Sequence, residues 1–334
     1  MKNITQILAI FLLISSCKAQ KKETVFNPIV LKAKETSLYS ERINWYEVNT
    51  KFIELTKGKE NVEDLKEGLQ YLINSLGDKH ACFRSPVDGS IIVYYNGKIK
   101  ESDNRDSKFI NTVINDLSRK FSYQLLDNGI GYLRVVAIGR GDVKEQADFI
   151  RNGLVALKTK GVDKWILDLR FNGGGNIDPM LSGLAPLVGK GFVGGAINAR
   201  NEIRTYKIEN GQFYNYNRLA CEMNDMPEIK PDEKVAVLLS RYTISSGELV
   251  AVAFKGRDNT LFIGEETAGY TTGNGFDKVS DELALVISQD VFMDRNKNVY
   301  HNKVGVDIAI EFQHTIDIKN DNQINRAIEW LDKK

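Results

Sequence analysis

Hydrophobic positions along the chain fall into two regimes. Over 31–83 they recur three and four residues apart: Ile43, Tyr46 and Val48, then Phe52, Ile53 and Leu55, then Leu65, Leu69, Leu72 and Leu76. That spacing predicts amphipathic helices, with Asn61 to Asp64 as one helix start and Gly77 as a stop. Ile91 to Tyr95 followed by Asn96-Gly97 predicts a strand entering a type I′ turn. Residues 107–121 predict a helix with Phe109, Ile110, Val113, Ile114 and Leu117 on one side, and 123–138 a hairpin turning at Asp127-Asn128-Gly129. From there short apolar runs alternate with helical ones. Helices are expected over 143–158, 177–188 and 249–254, and strands over 165–169, 235–239 and 261–264. One or two strands follow over 283–293, then a helix over 323–331 with Asp321 as its cap. Such alternation predicts an α/β sheet covered by helices. A polar, Tyr-rich insertion over 200–231 breaks the pattern and predicts a hairpin and loop. The expected organisation is an N-terminal helical subdomain with a hairpin over 31–125 and an α/β core over 126–334.

The first residues change this picture by adding an address. Lys2 precedes an apolar run, Ile4 to Ile14, that is too short to span a bilayer and fits an export signal. Leu13-Ile14-Ser15-Ser16-Cys17 resembles a bacterial lipobox, which implies cleavage before Cys17 and a lipid on that thiol. The alternative is an ordinary secretory signal with an incidental cysteine. Residues 1–17 are therefore expected to be removed up to the lipidated cysteine, and 18–30 to tether a folded body to the cell envelope, on its periplasmic side or at the surface. Net charge is +1, and losing Lys2 brings it to about zero. No basic patch argues for nucleic acid as a partner, and no second apolar stretch argues for a membrane span. Cys82 and Cys221 are too few and too far apart for a disulfide framework or a metal site, and His80, His301 and His314 show no metal-type spacing. No metal and no cofactor is expected.

Candidate chemistry sits at three places. Ser245 and Ser246 lie between the strand 235–239 and the helix 249–254. A serine there is either an N-cap for the free amides of the first turn, or a nucleophile whose oxyanion those amides and the helix dipole stabilise. Asp168 to Asn176, DLRFNGGGN, likewise follows a strand and opens a helix. Neither phosphate-loop pattern is present, so its glycines form either a tight turn or an anion nest for a developing oxyanion. His80 follows the helix stop at Gly77, where a lone histidine is either a capping residue or a base.

In order along the chain, LGDKHACF (76–83), GYLRV (131–135), ILDLRFNGGG (166–175), SSGE (245–248), GEETAG (264–269) and VGVDI (304–308) resemble the motifs of the C-terminal-processing, or tail-specific, serine peptidases. That family includes the tricorn core and the retinoid-binding repeats of interphotoreceptor retinoid-binding protein. The resemblance runs from about residue 40 to the C-terminus. It implies a crotonase-like ββα spiral core with an N-terminal helical part, and a serine-type peptidase acting on peptides or proteins through an acyl-enzyme. It also implies Ser245 as nucleophile, Ser246 and Gly174 as oxyanion donors, and Glu248 as a structural acid. Where the processing branch carries a lysine base this chain has Tyr270, so the tricorn-like branch is the nearer one, and His80 in KHACF fits its histidine. That branch orients its histidine with a glutamate where Tyr300-His301-Asn302 stands here. Asp78, Glu265 or a rotated arrangement could supply the missing acid, and His301 is expected in the same cleft. The interval between His80 and Tyr132 leaves no room for a PDZ domain. The alternative the family offers is a catalytically inactive peptide- or lipid-binding protein on the same fold. Oligomeric state is not legible in the sequence.

Overall fold

A computed structural model describes residues 25–97 and 122–333 apart from 314 and 316. Cys17, the helix expected over 107–121 and whatever follows the Asn96-Gly97 turn lie outside the described residues. The fold begins earlier than expected. Helix α1 (Pro28–Thr36) starts inside the presumed tether, because Asn27 caps it by accepting from the Ile29 amide at 2.9 Å and Pro28 presets the first turn.

The N-terminal helical pattern resolves into α1, α2 (Trp45–Thr56) and α3 (Val62–Leu76), capped as expected by Asn61 and closed by Gly77 in the left-handed conformation. The pattern stops there. Cys82–Arg84 forms strand β1, antiparallel to β2 (Ile91–Tyr94), so the hairpin lies one strand earlier than Asn96-Gly97 suggested. Phe52, Leu69, Leu72, Ile73 and Leu76 pack against Phe83, Val93, Leu285 and Ile287 as one buried cluster. The helical part is thus fused to the body through a shared sheet.

That body holds two sheets. In the first, β3 (Ser122–Leu125) pairs antiparallel with β4 (Ile130–Arg134). After α4 (Val143–Lys158) come β5 (Lys164–Asp168), β10 (Lys234–Leu239), β11 (Thr260–Gly264) and β14 (Ile308–Ala309), all parallel to β4 in the order β14-β11-β10-β5-β4-β3. The second sheet is antiparallel. It joins β2 and β1 to β13 (Ala284–Asp294), then β6 (Gly191–Asn198), β7 (Ile203–Glu209), β8 (Gln212–Asn215) and β9 (Arg218–Leu219), with β12 (Thr272–Lys278) also on β13. The insertion over 200–231 therefore supplies β7 to β9 and a loop.

Period-2 alternation decides which side chain meets which layer. Leu133, Leu167, Val237 and Leu239 face the central core with α4, α5 (Ile177–Val188), α6 (Ser246–Phe254) and Phe292 of the second sheet. Tyr132, Ile166, Ala236 and Leu238 face the other way, onto α7 (Asn322–Leu331). Asp321 caps α7 by accepting from the amides of Gln323 and Ile324. Parallel strands followed by helices bring the turns 169–176 and 240–245 together at one end of the first sheet.

Candidate active site

The turn between β10 and α6 is held open by its neighbour. Ser240 Oγ donates to Arg170 O at 2.6 Å, Thr243 Oγ1 to Leu169 O at 2.9 Å, and the Ile244 amide to Asn172 O at 2.9 Å. Gly247 stands where any Cβ would lie 2.5 Å from Asn172 O, so only glycine lets the helix start this close to the other turn. Between them Ser245 adopts φ 54°, ψ −117°, a conformation that costs an L-residue about 1–3 kcal/mol and persists only where its surroundings enforce it. Glu248 does the enforcing. Its fully buried carboxylate accepts from the amides of Ser245, Gly269 and Tyr270, each at 2.8 Å, and from the Thr267 hydroxyl. Burial raises its pKa, and these four donors oppose that rise. Every acceptor position of the group is spent on backbone and Thr267, as expected of a structural acid.

The glycine turn faces this elbow. A Cβ on Gly174 would stand 2.9 Å from both Ile244 O and Ser245 Cβ and 3.2 Å from the Ser246 nitrogen, and Gly174 has φ 93°. Ser246 spends its hydroxyl on Gly175 O at 2.7 Å, while its amide, first in the helix, has no intrahelical acceptor. The Gly174 amide donates to Asn172 Oδ1 at 3.0 Å. Beneath the turn Arg170 bridges Asp168 (Nη2–Oδ2 2.8 Å, Nε–Oδ1 3.0 Å) and Asp321 (Nη1–Oδ2 2.6 Å), all three buried. Burial would raise the Asp168 pKa, but Arg170 outweighs it and holds the group at about 2.

His80 follows the end of α3 and meets the loop that Glu248 holds. Its ring lies edge-on to Tyr270, centroids 4.8 Å apart, and the Tyr270 amide shares Glu248 Oε2 with the Ser245 amide. Nδ1 is 2.7 Å from Thr272 Oγ1, whereas Nε2 is buried with no partner among the described residues. Thr272 Oγ1 is 2.8 Å from Ser288 Oγ, which donates to Asp78 Oδ1 at 2.9 Å. Asp78 also accepts from the Ser288 amide at 2.7 Å and the His80 amide at 3.0 Å. Burial lowers the His80 pKa, Asp78 partly restores it, and Lys79 lowers it further. Burial and the anions Glu248 and Asp78 push the Tyr270 phenol up, so it stays protonated at neutral pH.

Of the acids considered for His80, Asp78 is thus linked to it and Glu265 is not. Glu265 binds Arg241 (2.7 Å) and the Phe312 amide (3.0 Å). The segment bearing His301 packs on Thr271, whose hydroxyl donates to the carbonyls of Tyr300 and Asn302, but the His301 side chain is exposed. Lys255 donates to Gly305 O at 2.9 Å and Lys278 pairs with Asp281 at 2.7 Å, so neither replaces the branch lysine. Thr272 and Ser288 lie outside the motifs of the sequence, whereas Asn172 stands inside the glycine motif. The available signal was the polar run Ser288-Gln289-Asp290 between the apolar runs of β13.

Residues 129–312 match peptidase family S41. The chain belongs to that family. It is a serine-type peptidase with peptides or proteins as substrates, and its two-sheet α/β architecture is the S41 fold. Among curated relatives, the nisin-resistance protein of Lactococcus lactis subsp. lactis is 28% identical over 300 residues, covering 89% of this chain and 83% of its own. Among solved structures, a lipoprotein from Streptococcus agalactiae superposes with a TM-score of 0.69 at 20% identity, over 97% of this chain and 99% of the other. The photosystem II D1 C-terminal processing protease gives 0.57 at 12% identity, over 89% and 94%. Both likenesses speak to the S41 fold.

Proposed function

We propose that this S41 peptidase cleaves peptides in the cell envelope through an acyl-enzyme on Ser245, with His80 as base. The observation that carries the reading is a strained serine held by Glu248, whose same carboxylate oxygen holds the amide of Tyr270, the ring against which the His80 imidazole packs. In the reaction His80 Nε2 takes the hydroxyl proton as Ser245 Oγ bonds to the carbonyl carbon, and the carbonyl π pair moves to oxygen. Ser246 N–H is the first oxyanion donor. The second is Gly174 N–H, released from Asn172 Oδ1 to the oxyanion. Exchanging a neutral acceptor for an anionic one strengthens that bond as charge develops. Collapse breaks the C–N bond, His80 returns its proton to the leaving amine, and water repeats the sequence to free the acid and Ser245. The name of the lactococcal relative makes nisin the first peptide to assay. Purified protein should cleave it, or members of a peptide library, and Ser245→Ala should not; cleavage retained in Ser245→Ala would overturn the assignment.

The anchor is proposed on the sequence, where a short apolar run ends at Cys17. Its support is that a structural relative across almost the whole chain is called a lipoprotein. Mature protein should partition into detergent and begin with a blocked, acylated Cys17. Mass spectrometry finding any other mature N-terminus would exclude it.

A further inference from the structure

We propose that Thr272 and Ser288 form a one-way hydrogen-bond relay that fixes the tautomer of His80 and connects it to Asp78. The inference rests on the catalytic reading above and adds to it how the base is prepared.

The direction of every proton follows from the partners. Asp78, as a carboxylate, only accepts, and it already takes the amides of Ser288 and His80. The Ser288 hydroxyl has one proton, and 2.9 Å from Asp78 Oδ1 it donates there. Ser288 Oγ, which the Tyr39 hydroxyl also meets, can then only accept, and with two lone pairs it accepts from Thr272 as well, 2.8 Å away, so the Thr272 hydroxyl points at Ser288. With its proton spent, Thr272 Oγ1 can meet His80 Nδ1 at 2.7 Å only as acceptor. Nδ1 must therefore carry the ring proton, and Nε2 is left with its lone pair. Nε2 is the nitrogen that is buried without a partner among the described residues. A relay of the opposite polarity would protonate Nε2 and leave the ring unable to act as a base toward Ser245. When Nε2 gains the serine proton, Nδ1–H stays in place, and the imidazolium is stabilised through two polarised hydroxyls by the charge of Asp78. No proton reaches Asp78.

Thr272 and Ser288 are positioning residues: neither touches the reacting atoms. Their test must therefore separate tautomer control from simple support of the strands. Thr272→Val keeps the shape and β-branching and removes the acceptor, whereas Thr272→Ser keeps the hydroxyl. Thr272→Val should lower kcat roughly 10- to 1,000-fold with KM little changed, below the ~10⁴-fold loss known when a histidine is locked in the wrong tautomer, because here the ring is released and not inverted. Thr272→Ser should restore most of the rate. The decisive readout is independent of activity: ¹⁵N-edited NMR of the histidine rings in Ser245→Ala protein, where three histidines keep assignment tractable. His80 at neutral pH should be protonated at Nδ1 in the parent and become a mixture in Thr272→Val. An Nε2–H ring in the parent, or a tautomer unmoved by Thr272→Val, overturns the relay even if Ser245 proves to be the nucleophile. The expected tautomer in a protein with no peptidase activity would uphold the relay and count against the catalytic reading instead.

Discussion

Two adjacent serines differ in what their hydroxyls do. Ser246 spends its own on Gly175 O and offers only its amide to chemistry, so Ser246→Ala should lose one turn-pinning bond, about 0.5–1.5 kcal/mol, and keep part of the activity. Steady-state kinetics on the two alanine variants would show it; a dead Ser246→Ala beside an active Ser245→Ala would reverse the choice. His80→Gln should cost about as much as Ser245→Ala, and the double variant little more, since members of one catalytic unit are not additive. Burial holds the His80 pKa below its usual 6.5, so the imidazole remains a free base there and the acidic limb of kcat/KM should fall below that pH. Its two charged neighbours act with opposite sign. Lys79→Gln removes the cation that disfavours protonation and should move the limb up; Asp78→Asn removes the anion and should move it down. Stability follows the same linkage. The unfolded imidazole protonates before the folded one, so the contribution is complete above about 6.5 and is lost as pH falls toward the folded value.

At the scale of elements, Glu248 ties the elbow of α6 to the loop before β12. Glu248→Gln replaces one acceptor oxygen by an NH2 that faces either the Ser245 and Tyr270 amides or the Gly269 amide, which should flatten the elbow and remove activity while destabilising the fold by about 1–3 kcal/mol. Circular dichroism melts beside kinetics separate the two effects. Arg170 anchors the glycine turn to α7, and Arg170→Leu removes the ion pair of buried Asp321 and leaves Asp168 with Arg134 alone at 3.7 Å, a loss of about 3–5 kcal/mol measurable by denaturant unfolding. Elements with a strong period were legible in the sequence: α4, α5, β5, β10 and α7 lie within a residue of their expected bounds. Those missed have physical reasons. β6 begins in a glycine-rich run, and β12, Thr-Gly-Asn-Gly-Phe-Asp-Lys, carries glycine and polar residues because one face supplies the site and the other meets solvent. β1 is three residues long and exists only because β13 and β2 flank it.

For the whole molecule, the site is an assembly across layers. The proposed site draws the elbow and glycine turn from the first sheet, Thr272 and Ser288 from the second, and Asp78 and His80 from the segment between α3 and β1. Ser245, Gly174 and Glu248 stand out in the sequence as candidates because each sits in a local strand-to-helix motif. The relay does not, since Thr272 lies 192 positions from His80 and Ser288 lies 210 from Asp78, and only pairing through β13 joins them. Central to the proposed chemistry is a Ser245 hydroxyl that His80 activates to attack the substrate. The most direct measurement is labelling with a fluorophosphonate, followed by mass mapping of the modified residue in the wild type, Ser245→Ala, Ser246→Ala and His80→Gln. Adduct confined to Ser245, absent in Ser245→Ala, strongly slowed in His80→Gln and partly retained in Ser246→Ala is the predicted result. Adduct on another residue, or equal labelling with and without His80, would contradict it.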